Sequence, residues 1–302
     1  MTAIKVENIS KTYGKQAVLD QLSFEVEENT ICGFLGLNGA GKTTTFKLLN
    51  GLIEADSGAI EIFGQKIDRK NTSQDVKFLQ DVPEFYAYMT AREYLKFICD
   101  LNGIANSKEK ITETLELVGL SDAKNKRIGK FSRGMKQRIG IASTIIANPK
   151  VLMLDEPVSA LDPIGRKEVF DLLESLKGKM TILFSTHIIE DVERVSDKIV
   201  MIHKGKKMLD GSISQMKEHF ISNLLEIQFN KLEDMETFAA AFTQFSQEKQ
   251  EARNILTLTT DTVEDTQLAI FNYLNAKKMT VASIKQVRPS LEEIFVNEVS
   301  DQ

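Results

Sequence analysis

TICGFLGLNGAGKTTTFKLLNGL (30–52) runs three patterns together. Residues 30–36 form a short apolar run that stops at a glycine, as a buried strand does. GLNGAGKT (36–43) then fits G-x-x-x-x-G-K-[ST], the spacing of a phosphate-binding loop. KTTTFKLLNGL (42–52) sets Phe46, Leu49 and Ile53 at helical spacing, with Gly51 near the end. A strand, a glycine turn and a helix in this order make a cradle for phosphate. Gly36, Gly39 and Gly41 let the backbone wrap closely, so that successive N–H groups, those of Asn38, Ala40 and Thr44 included, meet phosphate oxygens. The helix adds the positive end of its dipole, roughly half an elementary charge. Lys42 supplies a full positive charge to the outer phosphates, and the Thr43 hydroxyl is the expected magnesium ligand.

Working outward, residues 3–9, 22–27 and AIEIFG (59–64) alternate like half-buried strands. From Thr90 to about Leu120 the pattern is helical: Thr90 and Glu93 have capping-box spacing, and Tyr94, Phe97, Ile98 and Leu101 share a face. VLMLD (151–155) and MTILFS (180–185) read as apolar strands separated by a helix-like stretch, 163–177. Strands alternating with helices imply an α/β fold with a mainly parallel sheet. Near residue 215 the character changes. LLEIQFN (224–230), ILTLTT (255–260) and TVASIKQV (280–287) read as strands, with helical segments near 233–244, 264–278 and 290–299. We therefore expect a large domain over 1–215 and a small α+β domain over 216–302.

A phosphate-binding loop alone leaves kinase, GTPase and ATPase open. LMLDEP (152–157) narrows the choice. Asp155, at the end of an apolar strand, is suited to magnesium, and Glu156 follows where a carboxylate could orient and polarise an attacking water. A guanine reader N-K-x-D is missing, since NKRI (125–128) lacks the aspartate. DPIG (162–165) imitates a GTPase switch but lies downstream of the strand already used for Asp155 and Glu156.

The 302 residues carry 38 basic and 43 acidic side chains, a formal charge of -5, and 42% are hydrophobic. That balance argues against a nucleic-acid binder. Cys32 and Cys99 have no metal spacing and make no disulfide framework, so they read as reduced structural thiols. No run approaches the roughly 18–20 apolar residues of a spanning helix, and the N-terminal MTAIKVENIS lacks a secretory core.

One stretch stands apart from the acidic whole. FSRGMKQR (131–138) packs Arg133, Lys136 and Arg138 around one glycine, opened by a serine in N-cap position. With this segment the sequence resembles the nucleotide-binding subunit of ABC transporters, whose signature commonly reads LSGGQ. Ser132 and Gly134 are retained; Phe131, Arg133 and Met135 depart in the manner of the drug- and antibiotic-exporter branch. The resemblance covers roughly residues 2–215 and, more loosely, a C-terminal unit ending in RPSLEEIFVNEV (288–299).

The resemblance implies a P-loop ATPase fold with an antiparallel β subdomain and a helical subdomain at about 85–145. It implies ATP with Mg2+, and two cassettes stacked head to tail. Ser132 and Gly134 of one then face the γ-phosphate held by the other's P-loop. The second cassette is either an identical copy or a similar subunit. Glu156, His187 and Lys42 become the catalytic set, and SALD (159–162) crosses between cassettes. Tyr13 stacks on adenine or is simply a turn tyrosine. In FLQDVPEFY (78–86), Gln80 is favoured over Asp81 as a magnesium contact. Phe85, Tyr86, Tyr88 and Met89 either receive a helix of a multi-spanning membrane subunit or are core aromatics. The chain would then sit in the cytoplasm at the inner face of the membrane, powering export of a drug, peptide antibiotic or lipid-like compound. A soluble ABC ATPase acting on ribosomes or nucleic acid, or an ATP-switched regulator, is the alternative.

Overall fold

A computed structural model describes residues 1–213, 215 and 224–287 and divides the chain into two units, Met1–Ile213 and Ser214–Gln302. In the first unit, β1 (Thr2–Tyr13) and β2 (Gln16–Glu27) form a long hairpin whose inner positions are buried and whose outer ones are polar. β3 (Ile31–Leu35) is buried at every position and leads through the glycine turn into α1 (Lys42–Leu49). β4 (Ser57–Ile62) and β5 (Gln65–Lys66) complete an antiparallel sheet of order β2-β1-β4-β5.

β6 (Val76–Leu79) enters the second sheet. α2 (Ala91–Leu101), α3 (Ser107–Leu117) and α4 (Arg133–Ile145) follow. The capping box expected at Thr90 is present: its Oγ1 accepts from Glu93 N–H at 3.2 Å, and Glu93 Oε2 accepts from Thr90 N–H at 2.8 Å. The helical pattern beyond it is two helices. Gly103 (φ +66°) and Asn106 (φ 52°) adopt left-handed backbone between them, which ends α2 and starts α3 on a new axis.

β7 (Val151–Leu154), α5 (Pro163–Leu176), β8 (Thr181–Thr186), α6 (Ile189–Val195), β9 (Lys198–His203) and β10 (Lys206–Ser212) complete the unit. The second sheet runs β10-β9-β3-β8-β7-β6, parallel except for the β10 edge. Strands of a parallel sheet covered on both faces need continuous apolar runs, and β3, β7 and β8 are buried throughout. KIVMIH (198–203) carries the same signal, so β9 was readable from the sequence.

Four phenylalanines link the layers. Phe24 and Phe34 lie 5.2 Å apart by ring centroid, Phe34 and Phe46 5.9 Å, and Phe46 and Phe78 6.1 Å. Phe34 precedes the glycine turn and Phe46 follows it, so their contact fixes both ends of the loop. Each is fully buried, which contributes about 1.5–3 kcal/mol per side chain.

In the second unit, β11 (Leu224–Phe229), α7 (Leu232–Ala241), β12 (Ser246–Gln250), β13 (Ile255–Thr259), α8 (Val263–Lys277) and β14 (Val281–Gln286) form an antiparallel sheet of order β12-β13-β11-β14. This βαββαβ order is that of a ferredoxin-like split unit. Its core holds Leu225, Ile227, Phe229, Leu256 and Leu258 from the sheet, with Phe238 and Ile270 from the helices. The helix expected near 290–299 lies outside the described residues. Among the described residues, no helix is long and apolar enough to cross a membrane.

Candidate functional site

The C-terminal ends of the parallel strands carry the polar residues. Gly36 N–H donates to Thr186 O at 3.2 Å, tying the loop's start to the end of β8. A Cβ on Gly36 would lie 2.7 Å from Ile202 O, so only glycine fits against β9 there. Gly41 has φ +107°, and a Cβ on it would meet Leu19 Cδ2 at 2.6 Å and Val18 O at 3.0 Å. Both a left-handed backbone and close packing therefore demand glycine.

Lys42 folds back over the loop. Its Nζ donates to Gly36 O at 2.7 Å and pairs with Glu156 Oε1 at 3.1 Å. Thr43 Oγ1 donates to Asp155 Oδ2 at 2.8 Å. Asp155 is buried, and its other oxygen accepts from Ser185 Oγ at 2.5 Å. Ser185 Oγ in turn accepts from Glu156 N–H at 2.9 Å. Glu156 has φ 47°, a left-handed conformation that is costly for a residue with a Cβ. In a regular strand, consecutive side chains point to opposite faces. The kink at Glu156 instead brings two adjacent carboxylates to one cleft. His187 Nδ1 lies 2.9 Å from Glu156 Oε2. An ionised carboxylate only accepts, so with Glu156 ionised this contact uses the Nδ1–H of His187.

These groups share a cleft of about 510 Å3, the size of an ordinary ligand site. Asn38, Gly39, Gly41, Lys42, Thr43 and Thr44 line it from the loop side; Asp155, Glu156 and His187 line it from the strand ends. Gly36 and Ala40 stand behind, packed against the body of the unit. Gln16, Val18, Asp81 and Ser159 also line the cleft, and the sequence reading had not singled out Gln16, Val18 or, as a single residue, Ser159.

Of the two neighbours Gln80 and Asp81, Gln80 does not line the cleft, and its Nε2 donates to Val82 O at 3.0 Å; Asp81 does, with Oδ1 accepting from Ser159 Oγ at 3.0 Å. β6 ends at Leu79. One residue of offset beyond a strand end decides which of two neighbours faces a site. Tyr13 is exposed and does not line the cleft, but its ladder partner Gln16 does. Lys11 Nζ lies 5.7 Å from the Tyr13 ring centroid. Ser132 caps α4, its Oγ accepting from Met135 N–H at 3.3 Å, and Gly134 lies in the first turn; neither lines the cleft of its own chain.

Residues 19–159 match the family described as ABC transporter, and residues 211–299 match the C-terminal domain of DrrA1-3-like ATP-binding proteins. The chain is 43% identical to YxlF, an uncharacterized ABC transporter ATP-binding protein of Bacillus subtilis (strain 168), over 74% of this chain and 76% of that one. The chain belongs to the family of ABC transporter ATP-binding proteins. This ABC cassette is also 43% identical to the bacitracin transport ATP-binding protein BcrA of Bacillus licheniformis, over 72% of each chain. A solved structure titled as the ATP binding subunit of an ABC transporter superposes with a TM-score of 0.65 at 29% identity, covering 72% of this chain and 93% of that one. As a member of this family the cassette binds ATP and hydrolyses it to power transport.

Proposed function

We propose that this ABC ATPase drives export of a peptide antibiotic or a similarly amphipathic compound, working as a pair of cassettes beneath a multi-spanning membrane subunit. The cargo class rests on the likeness to a bacitracin transport protein. The catalytic reading rests on one observation above all: Glu156 meets Lys42 at 3.1 Å and His187 at 2.9 Å in the cleft beside the loop. Residues 1–215 are the motor in this reading and 216–302 an interaction or dimer-supporting module, which the division at Ile213/Ser214 supports.

Lys42 neutralises Glu156 or a terminal phosphate, and exchanging one for the other frees Glu156 as a base. Glu156 then takes a proton from water attacking the γ-phosphate in line, while Lys42 and the loop N–H groups stabilise charge on the phosphoryl oxygens. His187 holds Glu156 in orientation. The Thr43 hydroxyl and Asp155 carboxylate, 2.8 Å apart, are hard oxygen donors of the type magnesium prefers. They would hold Mg2+, which when bound screens the phosphate charge. Asp81, not Gln80, is the acid that reaches the cleft from the β6 side and would report its state to α2–α4. Tyr13, beside Gln16, stacks on the adenine. Ser132 and Gly134 present the α4 N-terminus to the γ-phosphate held by the second cassette. The exposed Tyr86 and Tyr88, with Val82, offer an apolar face for the membrane subunit, which would hold the chain at the inner membrane surface.

Glu156→Gln tests the reading. ATP binding should persist, hydrolysis should fall by about 10²–10⁴-fold, and an ATP-dependent dimer should accumulate on size exclusion. Unchanged turnover with a persistent monomer would reject the role of Glu156.

A further inference from the structure

α5 reaches across to α6 through one buried acid. Asp191, in the first turn of α6, is only 3% exposed, and its Oδ1 accepts from Arg166 Nη2 of α5 at 2.5 Å. Its other oxygen, Oδ2, accepts from the Thr186 hydroxyl at 3.2 Å. That hydroxyl accepts in turn from Ile188 N–H at 3.0 Å. A hydroxyl has one donor and two acceptor sites, so both bonds can be made together. The chain of contacts runs Arg166, Asp191, Thr186, Ile188, and it brackets His187 on both sides. Thr186 is itself fixed by β3: it pairs with Leu35, and its carbonyl accepts from Gly36 N–H at 3.2 Å.

We infer that Asp191, held by Arg166, is a positioning residue that sets the turn at 186–188 and through it aims His187 at Glu156. Several observations point the same way. A buried carboxylate is retained only where it is paired and hydrogen-bonded, and here both oxygens are used. His187 is the exposed member of the group, and its aim rests on its contact with Glu156 and on its backbone neighbours. Ile188, at the N-cap position of α6, has an apolar side chain that cannot cap the helix, and its own N–H is held by the Thr186 hydroxyl. The far end of the brace also matters. Arg166 stands one turn into α5, its N–H bonded to Asp162 O at 2.9 Å, and Asp162 caps that helix by accepting from Gly165 N–H at 2.8 Å. Asp162 closes the segment 159–162, which is thereby joined to the brace: a backbone bond links Asp162 to Arg166, and side-chain bonds link Arg166 to Asp191 and Asp191 to Thr186.

This inference rests on the role proposed for His187, and the experiment separates the two. Turnover and KM for ATP are measured on the full chain for Thr186→Val, Arg166→Met, Arg166→Lys and His187→Ala. Thr186→Val keeps shape and loses the hydroxyl; Arg166→Met keeps the aliphatic stem and loses the charge. Both should lower kcat on the order of 10-fold, since small misplacement of a catalytic group is costly, with KM for ATP changed less than 2-fold. Arg166→Lys should recover most of kcat. Amide exchange in a peptide spanning 186–191 should quicken in both deficient variants. In a His187→Ala background, Thr186→Val should cause no further loss. Loss in His187→Ala with normal kcat in Thr186→Val and Arg166→Met would overturn the brace alone. Normal turnover in His187→Ala would overturn the role of His187 and the brace with it.

Discussion

Ser185 holds the two acids of the cleft in place. Its side chain is fully buried, donates to Asp155 and accepts from the Glu156 N–H. Ser185→Ala removes both bonds without adding bulk. A hydrogen bond to a charged acceptor contributes about 1.5–3 kcal/mol, and an orphaned buried N–H costs about 1–3 kcal/mol. Asp155 keeps the Thr43 hydroxyl at 2.8 Å, which places the total near the lower end, at about 3 kcal/mol. With a urea slope of about 2 kcal/mol per M, the unfolding midpoint of the larger unit should fall by about 1.5 M. Ser175→Ala, on exposed α5 surface, is the control; there Oγ donates only to Leu172 O, and the change should stay within about 0.5 kcal/mol. Turnover of Ser185→Ala should also drop, because the left-handed turn at Glu156 loses its anchor. A midpoint within 0.3 M of the parent, roughly 0.6 kcal/mol on the same slope, would refute the assignment of Ser185 as the clamp of the Asp155–Glu156 pair.

Ser132→Arg should leave nucleotide binding at the loop intact, measured with a fluorescent ATP analogue, while abolishing ATP-dependent dimerisation; normal turnover would contradict the part given to α4. Thr90 N–H and the Thr90 hydroxyl both donate to Glu93 Oε2, at 2.8 and 2.9 Å, and hold the Glu93 carboxyl below its usual 4.5, the backbone N–H contributing most. Its contribution to the α2 cap is therefore fully present above pH 4.5 and is lost as pH falls through the lowered folded value. Protection of the α2 first-turn amides, taken as their exchange by NMR relative to the intrinsic rate at each pH, should be flat from pH 7 to 5 and fall below that; a fall already at pH 6 would exclude the cap. Burial pushes the Cys32 thiol up to about 12, and burial raises Cys99 as well. Neither should react with a thiol reagent at pH 8 until the chain unfolds, and rapid native labelling of Cys32 would show that β3 opens.

The glycine turn, its lysine and threonine, and the two acids were legible because each rests on a short-range requirement. Phosphate contact needs close backbone, and a parallel strand needs an unbroken apolar run. The parts that escaped rest on contacts remote in sequence. Ser185 reads as one more polar residue until β8 is laid beside β7, where it falls next to Asp155. Gln80 and Asp81 differ by one position past a strand end, and no local pattern chooses between them. β12, SQEKQ, carries no apolar residue at all: it is an edge strand, exposed along most of its length, and is held by its ladder to β13. The broken helix after Thr90 was masked by apolar spacing that continues through Ile104 and Ile111, although Asn102 and Gly103 mark the stop. Tyr13 closes β1, and its ladder partner Gln16 reaches the cleft only because the hairpin closes as it does.

With Glu156 as the proposed base, its positive φ sets backbone ease and turnover against each other at a single position. Glycine accepts that backbone freely and asparagine nearly so, and either would relieve about 1 kcal/mol of backbone strain. A campaign that ranks variants by melting temperature alone would therefore drift toward sturdier chains that no longer burn nucleotide. In such a campaign position 156 must be held fixed, and robustness sought in the second unit or on the outer faces of α2 and α3.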